Sequence, residues 1–162
     1  MNKITTDRNK LEFECDLIYY TDGLKIANKL KQVVLFGKHK NCVGLAHNQI
    51  SGNKKVFIAK IDNKWRTFIN PKITFFEGKK FEHEESCMSF PNKSNKVIRW
   101  NKIELTHQVR ARNDYNTNPN DNYGEMWKKE LFFGFNAVII QHEMDHLNGI
   151  HIFNKNKDNN NG

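Results

Sequence analysis

Cysteine is scarce in this 162-residue chain: Cys15, Cys42 and Cys87 are the only three, and no two of them form a C-x-x-C pair. That number and scatter exclude a disulfide framework and fit a reducing cytoplasm. Long hydrophobic runs are also missing. The longest wholly aliphatic stretch is residues 137–140, far below the roughly 20 residues that a membrane-crossing helix needs. The first eight residues, Met1-Asn2-Lys3-Ile4-Thr5-Thr6-Asp7-Arg8, contain no apolar core and no small-residue cleavage site, so no secretory signal is read there. Internal repeats and a phosphate-binding glycine loop are absent as well.

What is present is a soluble balance, 38% hydrophobic and 27% charged with a net charge of +8, and one domain is expected over residues 1–153. The lysines are spread along the chain instead of forming a block, so a specific nucleic-acid surface is not expected. Residues 154–162 are Asn- and Lys-rich and are expected to be a disordered tail.

The chain is organised around residues 141–149, Gln-His-Glu-Met-Asp-His-Leu-Asn-Gly. On a helix, residues four apart share a face, so His142 and His146 can aim their rings at one ion. Glu143 follows the first histidine and lies about 100° around the helix, beside that ion and off its ligand set. Ala137, Ile140, Met144 and Leu147 recur at helical steps and form an apolar stripe, and Gly149 stands where a helix end needs positive φ. Two imidazoles hold a catalytic divalent ion poorly, so a third ligand is needed, with one position left open for water. Cys87 is available for that role; taken alone, it could equally be a small buried hydrophobe, the reading that suits Cys15 and Cys42.

Along the rest of the chain, Leu24, Ala27, Leu30, Val33 and Val34 predict a first helix capped by Thr21 or Asp22 and ending near Gly37. The runs 56–61 and 65–69 flank Asp62-Asn63-Lys64 as a β-hairpin. Asn70-Pro71 should break the second strand. Ile103, Leu105, His107 and Val109 alternate with polar residues as a half-exposed strand. Residues 113–124 read as a long loop that the site helix follows directly. The fold class is α+β, with antiparallel or mixed sheets packed around a central H-E-x-x-H helix and an N-terminal helix added.

Three stretches taken in order, GLAHNQ (residues 44–49), ESCMS (85–89) and QHEMDHLNG (141–149), resemble the peptide deformylase family, whose pattern is G-φ-G-φ-A-A-x-Q, E-G-C-φ-S and Q-H-E-φ-D-H. The resemblance covers roughly residues 24–153. Cys42, His47 and Ser86 depart from it, standing where the family has Gly, Ala and Gly. Cys42 and Ser86 would alter the backbone if those glycines had positive φ. His47 is expected to face solvent, and His39, His83, His107 and His151 to be surface or half-buried residues without a role.

The resemblance implies Cys87, His142 and His146 as ligands of one divalent ion, Fe(II) by expectation and Zn, Ni or Co as substitutes. It implies hydrolysis of the formamide of N-formyl-methionyl nascent peptides to formate and a free amine, by attack of metal-bound hydroxide with Glu143 as general base and acid. Charge growing on the formyl oxygen would be met by the Gln49 amide and the backbone N–H of Met88. Val43, Gly44, Phe135 and Val138 occupy positions of the family's substrate pocket, and Glu85 and Asp145 are candidates to orient the ligands. A monomer with weak, salt-sensitive ribosome association is expected, in a bacterial, phage-encoded or organellar setting. The rival readings are a metallopeptidase that cleaves internal bonds and a zinc-stabilised binding module. The second lacks a fourth Cys or His at ligand spacing.

Overall fold

The computed structural model describes residues 3–37, 39, 41–110 and 125–155. Its centre is a five-stranded sheet in sequence order, β1 (Gly44–Ala46), β2 (Val56–Ile61), β3 (Lys64–Ser86), β4 (Ser94–Arg110) and β5 (Glu125–Phe133), with two helices, α1 (Tyr20–Phe36) and α2 (Gly134–Leu147). Every neighbouring pair is antiparallel. The expected alternative of mixed sheets is therefore replaced by one antiparallel sheet in which each strand lies beside its neighbour in sequence.

The apolar run of β2 follows from its place between the two helices. Phe57, Ala59 and Ile61 join the cluster that includes Ala137, Ile140, Met144 and Leu147 of α2. Val56 and Ile58 join the cluster that includes Ile26, Ala27, Leu30, Val33 and Val34 of α1. A strand covered on both faces cannot alternate with polar residues. Phe57 pairs with Phe68 across the hairpin, their rings stacked with centroids 4.7 Å apart. Asp62 and Asn63 turn that hairpin with φ of 48° and 63°, the left-handed pair that favours Asn and Asp in tight two-residue turns.

Several expectations are corrected. Helix α1 turns Ile26 inward and leaves Leu24 39% exposed. Its N-cap is Tyr19 without a side-chain cap, and Asp22 pairs instead with Lys25 at 2.7 Å. Asn70-Pro71 bends β3 without ending it, because Asn70 takes φ of 49° at a register shift. The Asn70 amide then holds the incoming chain: it accepts from Ile18 N–H at 3.0 Å and donates to Ile18 O at 2.7 Å. Strand β5, and no loop alone, precedes the site helix. The expected loop at 113–124 lies outside the described residues, as do residues 156–162 of the expected tail. Asn154 is tied down, its side chain accepting from His151 N–H at 2.6 Å, and Lys155 reaches Asp145 at 2.7 Å.

Candidate metal centre

Helix α2 supplies the two histidines and β3 ends one residue before Cys87, so the sheet delivers the sulfur to the helix face. The ligand atoms of Cys87, His142 and His146 all lie within 4.8 Å of one another. Cys87 Sγ stands 3.2 Å from His146 Nε2, and the two imidazoles lie 4.9 Å apart between centroids. A soft sulfur and two imidazole nitrogens so gathered suit a divalent transition metal.

The orientation of His142 is set from behind. Its Nδ1 donates to Glu85 Oε2 at 2.8 Å, so that when the ring gives up its second proton the lone pair falls on the opposite nitrogen, Nε2. Glu85 is in turn clamped by Arg99, whose Nε and Nη2 donate to its two oxygens at 2.6 and 2.7 Å. Arg99 also donates through Nη1 to Asp145 at 2.5 Å. Burial pushes the Glu85 carboxyl up, but the bonds from Arg99 and His142 outweigh it and hold the group down at about 2. Burial alone would lower the His142 pKa; the adjoining Cys87 and Glu85 raise it well above its ordinary value. His146, buried and next to His142, moves the other way.

Glu143 sits differently. It is 3% exposed, and its Oε2 has no hydrogen-bond partner among the described residues. Burial drives its carboxyl from the ordinary 4.5 up to about 7, poised to accept or release a proton near neutrality. Gly44 makes room for it, since a Cβ there would collide with the Glu143 carboxyl. Close approach, and not left-handed backbone, is what this glycine serves. Cys42 and Ser86 are absent from the positive-φ positions among the described residues, so the non-glycine residues strain nothing.

Gln49 lies in a short 3-10 turn after β1. Its Oε1 accepts from Ala46 N–H at 2.8 Å, and its Nε2 faces Ser89 Oγ at 3.3 Å and Cys87 Sγ at 3.5 Å. The amide donor is thus aimed at the metal centre. A cavity of about 730 Å³ opens there, and its lining includes Val43, Gly44, Met88, Phe135, Val138 and Glu143. All four expected pocket residues reach it. Val43 and Phe135 are 37% and 57% exposed at its wall.

Two site residues carried no recognisable sign in the sequence. Arg99 reads as a surface cation, yet it is 1% exposed. Asn48, fully buried, donates to His146 O at 2.6 Å and fixes the end of α2. Three histidines are also corrected. The half-buried His47 packs over Gly52 and accepts from Lys54 N–H at 3.1 Å, with burial lowering its pKa to about 4. His107 and His151 are both 2% exposed and bond Glu130 and Glu12, each at 2.8 Å.

This arrangement has relatives. The polypeptide deformylase family profile matches residues 1–161. A peptide deformylase of Clostridium beijerinckii is 41% identical over 111 residues, 68% of this chain and 71% of that protein. One from Synechocystis is 34% identical over 131 residues, 78% of this chain and 62% of that protein. Among solved structures, the peptide deformylase of Thermotoga maritima superposes with a TM-score of 0.76 at 25% identity, covering 95% of this chain and 96% of that one. A class I type b enzyme from Acinetobacter baumannii shares the fold with a TM-score of 0.78 at 22% identity, covering 96% and 98%. Three motifs in order, a Cys-His-His cluster they assemble, and a match over nearly the whole length lead to one assignment: the chain belongs to the peptide deformylase family.

Proposed function

We propose that this chain removes the formyl group from the N-formyl-methionyl end of newly made polypeptides, with Cys87, His142 and His146 holding one divalent ion. The observation that carries the reading is the buried, unpartnered Glu143 Oε2 beside a three-ligand cluster, at the wall of a cavity that Val43, Met88, Phe135 and Val138 help to line. The ion, once bound, acts as a Lewis acid and lowers the pKa of water from about 15.7 toward 7. Fe(II) is the expected metal, with Zn, Ni or Co able to replace it, since sulfur and imidazole ligands accept all four.

Glu143 takes the proton of the attacking water and returns it to the leaving amine, a double duty that a carboxyl near pH 7 performs at neutral pH. Gln49 Nε2, anchored through its own oxygen on Ala46, donates toward the formyl oxygen as charge develops there, and the Met88 backbone N–H is assigned the same task. Glu85 and Arg99 act through His142 by fixing its ring and tautomer. Val43, Phe135 and Val138 offer the methionine side chain the dispersion contacts and area burial that an unbranched thioether requires. Nascent peptides are the substrate class, and contact with the ribosome is weak and salt-sensitive.

The test is formate release from a formyl-methionyl tripeptide beside the same peptide unformylated and beside an unstructured protein. Formate and a free methionyl amine in equal amounts, with no internal cleavage, are expected. Internal cleavage of the unblocked substrates would identify a metallopeptidase instead.

A further inference from the structure

A polar ring stands in the wall assigned to methionine. The cavity that Val43, Phe135 and Val138 line is also lined by His83 of β3. Its imidazole packs on Phe135 with ring centroids 6.0 Å apart, and Phe81 meets it edge to face at 6.1 Å. Two aromatic neighbours thus hold the ring, whose side chain is 30% exposed.

The two nitrogens of His83 are unequal. Nδ1 is buried with no hydrogen-bond partner among the described residues, and Glu85 Oε1, at 3.8 Å, lies beyond hydrogen-bond reach. That oxygen already accepts from Arg99 Nε at 2.6 Å, and the other Glu85 oxygen accepts from Arg99 Nη2 and His142 Nδ1 at 2.7 and 2.8 Å. A proton on His83 Nδ1 would be a buried donor without an acceptor, the arrangement that folded proteins avoid most. The neutral ring therefore keeps its proton on Nε2. Nε2 is at the distal edge of the ring, where the accessible part of the side chain borders the cavity.

Methionine leaves that donor unmatched. A thioether is a weak acceptor, so the side chain displaces water from Nε2 and returns little. Oxidants of the peroxide class convert methionine to its sulfoxide, which carries a polar S=O on the same chain. We propose that the pocket takes N-formyl-methionine sulfoxide as well as N-formyl-methionine at the first residue, with His83 Nε2–H donating to the sulfoxide oxygen. The substrate class so widened rests on the deformylation proposed above for the same cavity. Val43 and Phe135 are 37% and 57% exposed, so the pocket stays open enough for the oxygen to keep some water. A wholly aliphatic wall would strip that water and offer no bond in return.

The experiment measures formate release from two tripeptides that differ only in the first residue, formyl-methionine or its sulfoxide. Metal-loaded enzyme is compared with His83→Leu and His83→Gln. The unmodified enzyme should process both peptides. His83→Leu should lower the sulfoxide-to-methionine ratio of kcat/KM by roughly tenfold. His83→Gln, whose amide also donates, should keep more of that ratio than His83→Leu. NMR titration with the two deformylated products reads the pocket apart from the chemistry, and the sulfoxide-to-methionine ratio of affinities should fall in His83→Leu by a similar factor. Formate from neither peptide, together with that fall in product binding, would strike the hydrolysis and leave the pocket assignment standing. Formate from the methionine peptide but none from the sulfoxide, or ratios that His83→Leu leaves unchanged, overturns the proposal.

Discussion

The two polar faces of α2 have opposite fates. On one, Gln141 donates to Trp100 O at 2.8 Å and accepts from Trp100 N–H at 3.0 Å, while Asp145 is bonded by Arg99 at 2.5 Å and Lys155 at 2.7 Å. On the other, Glu143 Oε2 and His146 Nδ1 are buried without a partner among the described residues. A buried polar group left unpaired costs on the order of 1–3 kcal/mol. The same fourteen-residue helix therefore keeps its structural face satisfied and its chemical face poised, and the difference locates the chemistry.

Glu143→Gln tests the poised face most severely. Loss of the proton carrier should lower kcat by roughly 100- to 10,000-fold while metal content is unchanged. In metal-free protein the same change should stabilise. The folded carboxyl has its pKa raised from 4.5 to about 7, so wild type loses stability as pH climbs through that window, and the neutral amide does not. Thermal melts of both proteins from pH 4 to 8 should diverge across that interval, and parallel melts would refute the unpaired carboxyl.

Arg99→Leu tests the satisfied face. It strands two carboxylates, Glu85 and Asp145, and should cost roughly 3–5 kcal/mol in denaturant titrations. Gln49→Ala should reduce kcat by roughly 100- to 1,000-fold through loss of one donor, with stability changed far less than in Arg99→Leu. The smallest effect is expected at His47. Its folded pKa is lowered from 6.5 to about 4, so its contribution to stability is present above 6.5 and drains away as pH falls toward 4. His47→Asn should flatten that part of the melting curve by a modest amount.

How much of this the sequence announced depends on the range of the contact. His142, Glu143 and His146 are one helical turn, and local periodicity with the glycine at the helix end was enough to place them. Cys87 and Gln49 could be joined to them only through the family pattern, because they arrive from 55 and 93 residues before His142. Arg99 was illegible: in a linear sequence a buried guanidinium looks like any surface cation, and only the pairing of β3 with β4 sets it between Glu85 and Asp145. His107 and His151 escaped for the same reason, their carboxylate partners being 23 and 139 residues away. Strand β5 was missed because a strand at the sheet edge, with Lys128, Lys129 and Glu130 at its middle, shows no clean alternation. Asn70-Pro71 misled because a bulge, with Asn70 in left-handed backbone, absorbs the proline that would otherwise stop a strand.

The most direct trial of the account is titration of metal-free protein with Co(II) under anaerobic conditions, followed by absorption spectroscopy. One equivalent should bind and produce a sulfur-to-metal charge-transfer band that disappears in Cys87→Ser. Failure to bind, or binding whose spectrum is the same with and without the Cys87 sulfur, would contradict the three-ligand centre on which everything else rests.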